Sequence, residues 1–373
     1  MKFLNRDKLA EAIDRRAESD IALCNIGGAS ILVAQAGEIV YKGHFGFEDM
    51  REKSVSDNTL FRLASMTKPI TAVAVMILVE RGFLSLEDTV DSFYPEFSSV
   101  QVQEADGRLV LCEKKITIRN ILTHSSGISS GAIWQESVKK MTDKDKESVE
   151  SFVDFISREP LLFIPESRQE YSGVGAFSVL TGIIQKIVGM PYGSFLKKEI
   201  FDPCRMADTT FEPSGEAWQR IIAMHGKENG RNIICKTYDG CVFENIPPHN
   251  HLGGAGLLSS LGDYFGFTKM LLDGGVFEGV RIISEASVYE RSKSQFFKKE
   301  GESWGLGVRV ITGENSLPVG AYGWSGAYGS HFWIDPSNRI VGIYMKNSWY
   351  DGGSGAITSR NFEKDVYSAL NKI

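Results

Sequence analysis

A Ser-x-x-Lys spacing occurs three times in this chain. The pairs are Ser65 and Lys68, Ser137 and Lys140, and Ser194 and Lys197. Residues at positions i and i+3 share one face of a helix, so a lysine amine at this spacing can reach the serine hydroxyl. A serine hydroxyl is a poor nucleophile until a neighbouring base takes its proton, and a lysine whose pKa is lowered by burial can be that base. Because the spacing is repeated, it is a weak signal by itself.

The sequence around each pair distinguishes Ser65 from the other two serines. Ser137 and Ser194 lie in lysine-rich, hydrophilic stretches that are typical of a solvated helix face. Ser65 follows the strand-like stretch LFRLA and begins a helix, ITAVAVMILVERG, that is apolar almost all round and therefore buried. Lysine is rarely buried without partners, so Lys68 requires a local polar network. The competing interpretation is that Ser65 only caps the helix.

The stretch LFRLASMTKPITAVAVMILVERGFLSLEDTV resembles the nucleophile helix of the serine β-lactamase-like hydrolases. That group includes class C β-lactamases, D,D-peptidases, D-amino-acid amidases and the family VIII carboxylesterases. The resemblance continues in the family's order at ITIRNILTHSSGI, EYSGVGAFSVLTGIIQKIVG, GGAGLLSSLGDYFGFTKMLLDGG and GWSGAYGSHFWIDP. It therefore covers nearly the whole chain.

The resemblance implies that Tyr171, in Tyr171-Ser172-Gly173, is the second catalytic element beside Ser65 and Lys68. A phenol has an ordinary pKa near 10, and an adjacent Lys68 cation favours its phenolate form. Tyr171 is then expected to act as general base on Ser65 and later as acid to the leaving group. Core packing is the alternative role for this tyrosine. Relatives often carry Asn where Gly173 stands, which puts amide and β-lactam turnover in doubt.

The third element matches Trp324-Ser325-Gly326, where many relatives have Lys or His at the first position. These three residues are expected to bind substrate. The resemblance further implies an oxyanion hole made of the backbone N–H groups of Ser65 and Ala327, which would stabilise the developing negative charge. Trp324 supplies no cation and offers an apolar wall instead. A buried core tryptophan is the competing interpretation.

Other polar motifs give no sign of a cofactor. His124 and His331 could touch the site, but a hydrogen-bonded structural role is favoured for both. His249 and His251 form an HxH pair with no evident third ligand, so no metal is expected. The glycine-rich stretch 253–256 lacks the strand-to-helix context of a phosphate site, which argues against a nucleotide.

Composition excludes several classes of partner. The net charge is -6 and the basic residues are scattered, so no basic stripe is present for nucleic acid. No apolar run reaches the ~18 residues of a membrane span, and the N-terminal segment lacks the apolar core of a secretion signal. The cysteines (Cys24, Cys112, Cys204, Cys235 and Cys241) form no CxxC pair and are interpreted as free thiols of a reducing compartment. These features predict a cytoplasmic protein.

Periodicity predicts strands at both ends of the chain and helices in the middle. A hairpin is expected at 29–33 and 38–47, a second small hairpin around Asp106-Gly107, and strands at 304–311, 331–334 and 340–345. Helices are expected at 65–82, 117–123, 148–158, 174–188, 259–272, 283–292 and 362–370. We therefore predict an α/β fold of the α+β type, with an antiparallel sheet flanked by helices. Residues 1–85 and 251–373 would form the sheet domain and residues 86–250 a mainly helical insertion, with the site in the cleft between them.

The predicted function is a serine hydrolase that forms an acyl-enzyme on Ser65 and acts on small carboxylic esters. Trp324 argues against gripping a substrate carboxylate, and family VIII esterases commonly show such a tryptophan. β-Lactamase, D,D-peptidase or D-amino-acid amidase activity is the alternative, weakened by the missing signal because those substrates lie outside the cytoplasm. A non-catalytic scaffold is the remaining hypothesis, and the joint presence of Ser65, Lys68 and Tyr171 argues against it.

Overall fold

The computed structural model describes residues 2–49, 52–104, 106–128, 136–137, 139–235, 250–299 and 301–371. The α-helices in these residues are α1 (Arg6–Ala22), α2 (Thr67–Glu80), α3 (Ile118–Leu122), α4 (Val149–Arg158), α5 (Gly175–Val188), α6 (Tyr192–Leu196), α7 (Leu261–Leu272), α8 (Glu285–Ser292) and α9 (Ile357–Ser368). The strands are β1 (Gly28–Gln35), β2 (Glu38–Gly46), β3 (Phe61–Arg62), β4 (Gln101–Gln103), β5 (Leu109–Leu111), β6 (Met224–Glu228), β7 (Arg231–Cys235), β8 (Leu258–Ser259), β9 (Val276–Phe277), β10 (Val280–Arg281), β11 (Phe296–Lys299), β12 (Glu302–Trp304), β13 (Arg309–Ile311), β14 (Tyr322–Ser325), β15 (His331–Asp335) and β16 (Ile340–Met345).

The main sheet has eight strands in the order β11-β12-β13-β14-β15-β16-β1-β2. Every neighbouring pair runs antiparallel. Strand β1, near the N-terminus, pairs with β16, near the C-terminus, with Ser30 opposite Met345. The prediction of an antiparallel sheet built from both ends of the chain and flanked by helices is therefore confirmed.

Helices cover both faces of this sheet, which explains why strand β1 is buried at all of its positions. Successive side chains of a strand point to opposite faces. Ile31 and Val33 accordingly pack in the layer formed by α1 and α9, whereas Leu32 packs in the larger core that contains α2. Helix α2 is buried at every residue from 67 to 78, as its uniformly apolar sequence predicts. It begins directly after the 3₁₀ turn that holds the candidate nucleophile, Ser65.

Two parts of the sheet prediction were wrong or incomplete. The single strand expected at 304–311 is two strands, β12 and β13, because a turn intervenes. In that turn the Gly305 N–H donates to the Val308 carbonyl at 2.9 Å, and Gly307 has φ +73°, a conformation that favours glycine. Strand β14, which carries Trp324, was not predicted from periodicity.

The hairpin β6–β7 was also missed, although the sequence carried its signal. Asn229 and Gly230 connect the two strands with φ values of +50° and +78°. An Asn-Gly pair with both residues in the left-handed region is the favoured two-residue hairpin connection. This hairpin lies in the segment 86–250, which otherwise holds α3 to α6 and the predicted hairpin β4–β5. The division of the chain into two domains stays a prediction.

Among the described residues, no helix combines the length and the apolar character that a bilayer crossing requires.

Candidate active site

Ser65 lies in a 3₁₀ turn, Ala64–Met66, between strand β3 and helix α2. Ala64 has φ +45°, a backbone conformation that costs a residue with a side chain about 1–3 kcal/mol. The turn is held from outside by Asn347, whose side chain accepts from the Arg62 N–H and donates to the Arg62 carbonyl, each at 3.0 Å. Ser65 is partly exposed, whereas its neighbours on both sides are buried. The Ser65 hydroxyl therefore lies on a strained turn that is stabilised by the hydrogen bonds of Asn347.

Lys68 is fully buried, with its amine 3.5 Å from the Ser65 hydroxyl oxygen. The same amine donates to the carbonyl of Gly173 at 2.5 Å and to the carbonyl of Gly254 at 2.8 Å. Burial lowers the pKa of Lys68 well below its ordinary value of 10.5, so the neutral amine is favoured. A neutral amine has two hydrogens and one lone pair. Two carbonyls accept the hydrogens, which leaves the lone pair for Ser65.

Tyr171 completes this group, since its hydroxyl is hydrogen-bonded to Ser65 and accepts from the indole N–H of Trp324 at 3.3 Å. Burial raises the pKa of Tyr171 to about 12, although both hydrogen bonds act in the opposite direction. The phenol is therefore protonated at neutral pH. The phenolate expected from the sequence is not favoured, because that expectation counted Lys68 as a cation, whereas burial favours the neutral form of both groups.

Trp324 belongs to an aromatic cluster around Tyr171. Its ring centroid lies 5.1 Å from that of Tyr171 and 4.5 Å from that of Trp304. Trp304 and Trp324 also line a cavity of about 170 Å³, together with Gln169, Glu302, Ser303, Arg309 and Ser354. Trp324 is 8% exposed. It is thus a buried packing residue and a cavity wall at once, so the two interpretations of this tryptophan do not exclude each other.

The Ser325 side chain points away from Trp324, to the opposite face of the sheet. Its hydroxyl is hydrogen-bonded to Nδ1 of His331 at 2.8 Å, and Nε2 of His331 contacts a carboxylate oxygen of Glu363 at 2.9 Å. All three side chains are buried, and Glu363 lies on helix α9. This chain of contacts ties strand β14 to the covering helix, and it gives His331 the hydrogen-bonded environment that was expected.

Gly326 brings the turn after β14 against the turn that precedes Ser65. A Cβ atom at Gly326 would lie 2.3 Å from the Leu63 carbonyl oxygen, so only glycine fits there. The Ser330 hydroxyl donates to the same carbonyl at 3.2 Å. Ala327, the next residue of this turn, is exposed. The backbone segments that carry Ser65 and Ala327 therefore meet at the C-terminal end of strand β14.

Two residues of the site were not recognised from the sequence. Gly254 was considered only as part of a nucleotide loop, yet its carbonyl binds the Lys68 amine. The available signal was the glycine pair itself: a Cβ at Gly253 would lie 2.6 Å from the Phe177 carbonyl, so this segment packs directly against α5. Trp304 was expected only as part of a longer strand.

The two other Ser-x-x-Lys pairs lack a buried lysine. Lys140 and Lys197 are both exposed, and Lys197 is paired with Asp202. Ser194 is exposed, whereas Ser137 is buried and donates to the Glu159 carboxylate. Neither pair therefore provides a buried amine like that of Lys68.

The remaining histidine and cysteine predictions concern metals and thiols. His251 accepts from the Gly193 N–H at 3.2 Å and contacts Glu212 at 2.8 Å. Within the described ranges, no three His, Cys, Asp or Glu side chains are grouped as metal ligands. Cys24, Cys112 and Cys204 are free thiols. His249 and Cys241 lie outside the described residues.

Comparison with known proteins places this chain in a family. The chain matches the Beta-lactamase family over residues 13–361, and it belongs to that family of serine hydrolases, which has esterase and peptidase members. It is 26% identical over 384 residues to the esterase EstB of Burkholderia gladioli, covering 95% of this chain and 94% of EstB. It is 26% identical over 351 residues to a putative D-alanyl-D-alanine carboxypeptidase of Escherichia coli O157:H7, covering 86% of this chain and 78% of that protein.

Among solved structures, the fold is similar to that of EstCE1, described as a hydrolase with promiscuous acyltransferase activity. The TM-score is 0.83 at 21% identity, and the match covers 97% of this chain and 99% of EstCE1. At this level of identity the likeness establishes the fold. The resemblance inferred from the sequence motifs is confirmed.

Proposed function

We propose that this protein is a carboxylesterase that hydrolyses small neutral esters through an acyl-enzyme on Ser65. The observation that carries the proposal is the environment of Lys68. Its amine is fully buried, it donates to two backbone carbonyls, and its third neighbour is the Ser65 hydroxyl at 3.5 Å. Burial disfavours the charged form of this amine, and its position beside the Ser65 hydroxyl suits the activation of a serine nucleophile.

In the proposed first step, the Lys68 amine takes the proton from Ser65 as the hydroxyl oxygen attacks the ester carbonyl carbon. The 3.5 Å separation is expected to shorten in the substrate complex. The backbone N–H groups of Ser65 and Ala327 stabilise the tetrahedral anion. Its collapse breaks the bond to the leaving alkoxide, which takes a proton from the Tyr171 phenol, and Tyr171 recovers a proton from the Lys68 ammonium.

In the second step, water attacks the acyl-enzyme carbonyl and gives one proton to the same Lys68 and Tyr171 pair. The tetrahedral anion collapses, Ser65 leaves with a proton returned from the pair, and the carboxylic acid is released. Tyr171 suits the role of acid because burial keeps its phenol protonated, with a pKa of about 12. The reaction is complete without a cofactor.

The preference for neutral esters rests on the charges around the Trp304–Trp324 cavity. Trp324 brings no cation, and burying a carboxylate beside an indole is costly unless a donor pairs with it. Arg309 lines the same cavity, but it already contacts Glu302 at 3.2 Å and Glu363 at 3.4 Å. Its positive charge is therefore balanced by two carboxylates. The similarity to an esterase agrees with this preference.

The proposal is tested by a panel of substrates compared side by side. The panel contains short and long p-nitrophenyl esters, a D-amino-acid amide and the β-lactam nitrocefin, with Ser65→Ala as the control enzyme. We expect the largest kcat/KM on a short ester and no hydrolysis by Ser65→Ala. A larger kcat/KM on nitrocefin or the amide would replace the esterase with the β-lactamase or peptidase alternative. Hydrolysis of none of these compounds would favour the scaffold hypothesis.

A further inference from the structure

His124 holds the backbone on both sides of Tyr171. The N–H of Glu170 donates to the His124 carbonyl at 3.0 Å, and the N–H of Ser172 donates to the imidazole Nδ1 of His124 at 3.2 Å. The residues immediately before and after Tyr171 are therefore both anchored to one histidine. The position of the tyrosine along its segment is fixed by these two bonds.

The His124 ring also packs against the phenol that it anchors. Its centroid lies 4.5 Å from that of Tyr171 and 4.5 Å from that of Trp304. The side chain is 1% exposed. His124 adopts φ +57°, a left-handed conformation that is uncommon for residues other than glycine. His124 thus has an unfavourable backbone conformation at the place where its ring contacts Tyr171, the proposed acid.

The hydrogen bonds define which nitrogen of His124 carries the proton. Because Nδ1 accepts from Ser172, the imidazole must be neutral and its hydrogen must be on Nε2. Nε2 is buried and finds no hydrogen-bond partner among the described residues. An apolar side chain would avoid this unpaired N–H, and each such group calls for an explanation. What the imidazole adds over an apolar ring is the Nδ1 acceptor, which binds the backbone next to Tyr171.

We propose that His124 is a positioning residue for Tyr171 in the reaction of Ser65. The inference rests on the proposed function, since it concerns the same acyl-enzyme chemistry. His124 acts through Tyr171, whose hydroxyl must reach both Ser65 and the leaving oxygen. Displacement of a catalytic group by ~1 Å can lower a rate by about 10²-fold, so loss of the anchor is expected to reduce kcat much more than substrate binding.

The test compares side chains that keep or lose the acceptor at the place of Nδ1. His124→Asn puts an amide oxygen near that place, and Asn tolerates the left-handed backbone. His124→Phe keeps a ring without an acceptor, and His124→Gln moves the amide one bond further out. The matched control is His225→Asn, because His225 is also buried with an unpartnered Nε2 but packs against Gly27.

Two rates are measured in each variant: kcat and KM for a p-nitrophenyl ester, and the rate of Ser65 labelling by a fluorophosphonate. We expect both kcat and the labelling rate to fall about 10²-fold in His124→Phe and His124→Gln, with KM changed less than about threefold. His124→Asn should retain at least about a tenth of the wild-type rates. His225→Asn should keep the wild-type values, and thermal unfolding confirms that each compared variant is folded.

Equal losses in His124→Asn and in the folded Phe or Gln variant would overturn the inference, because packing alone would then explain the effect. Unchanged rates in either acceptor-deficient variant would overturn it as well. Labelling of Ser65 does not depend on the natural substrate, so a labelled wild type that hydrolyses no ester refutes only the esterase assignment. A wild type that leaves Ser65 unlabelled refutes the proposed function, and this inference with it.

Discussion

The indole N–H of Trp324 donates a hydrogen bond to the hydroxyl oxygen of Tyr171 across 3.3 Å. Trp324 is the first residue of the third motif, and its side chain binds the proposed catalytic tyrosine. The same indole walls the cavity beside the site. Trp324 therefore affects both the protonation of Tyr171, through this hydrogen bond, and the charge of the cavity wall, to which it contributes no cation.

Replacing Trp324 by lysine should shift the substrate preference toward carboxylate-bearing compounds. A cation at this position can form a charge-assisted hydrogen bond with a substrate carboxylate, worth about 1.5–3 kcal/mol. We expect Trp324→Lys to lower the ratio of kcat/KM for a p-nitrophenyl ester to that for nitrocefin by roughly tenfold or more. Trp324→Phe is the control, since it removes the indole N–H without adding charge. A ratio that is unchanged by lysine would show that the missing cation does not set the preference.

Lys68 and Tyr171 should behave as one unit in a double-mutant cycle. Each handles the same proton, so loss of either leaves the other without its partner. Lys68→Ala and Tyr171→Phe should each lower kcat by about 10²–10⁴-fold, and the double variant should be little worse than either single variant. The measurement is kcat for one p-nitrophenyl ester in all four proteins. Fully multiplicative losses would assign the two residues to separate steps.

Asparagine should be accepted at Gly173. A Cβ at this position meets no heavy atom of the described residues within 4 Å, and the glycine φ lies outside the left-handed range. Gly173→Asn and the matched Gly173→Ala should therefore change the free energy of unfolding by no more than about 1 kcal/mol, because a restricted unfolded chain favours folding by ~0.4–1 kcal/mol. Only Gly173→Asn should raise kcat/KM on nitrocefin. The measurements are urea unfolding of both variants and their kcat/KM on nitrocefin. A loss of stability in both variants would contradict the finding that a side chain at position 173 has room.

The buried amine of Lys68 should make folding stability depend on pH. Its pKa is lowered in the folded protein, whereas the lysine of the unfolded chain has the ordinary pKa of 10.5. Between these two pKa values only the unfolded chain binds the proton, so the free energy of unfolding rises with pH across that window. Above the unfolded pKa neither state binds the proton, and the destabilisation caused by the buried amine is gone. The free energy of unfolding of the wild type should therefore rise relative to that of Lys68→Met between pH 7 and 10. Parallel curves in urea titrations would contradict a lowered pKa.

The sequence predicted the antiparallel sheet and the buried helix α2 because both depend on local patterns. The apolar run after Ser65 indicated complete burial, and burial of Lys68 implied a polar network. The partners in that network were not predictable. They are the carbonyls of Gly173 and Gly254, which lie 105 and 186 positions along the chain from Lys68, and no side chain marks them.

Protonation states were the other feature that the sequence could not define. The expected proximity of Lys68 and Tyr171 suggested that a charged Lys68 favours the phenolate form of Tyr171. The structure adds desolvation, which lowers the pKa of Lys68 and raises that of Tyr171, and desolvation depends on long-range packing. The position of the Ser325 side chain on the face opposite Trp324, by contrast, follows from strand alternation once β14 is known.

The most direct test of the account is the site of covalent modification by a fluorophosphonate. The protein is incubated with the reagent, digested, and analysed by peptide mass spectrometry, with Ser65→Ala treated in parallel. We predict one adduct on Ser65 and none in Ser65→Ala, because only Ser65 has a buried lysine amine within reach of its hydroxyl among the three Ser-x-x-Lys pairs. An adduct on Ser137 or Ser194, or no adduct in a protein that hydrolyses esters, would contradict it.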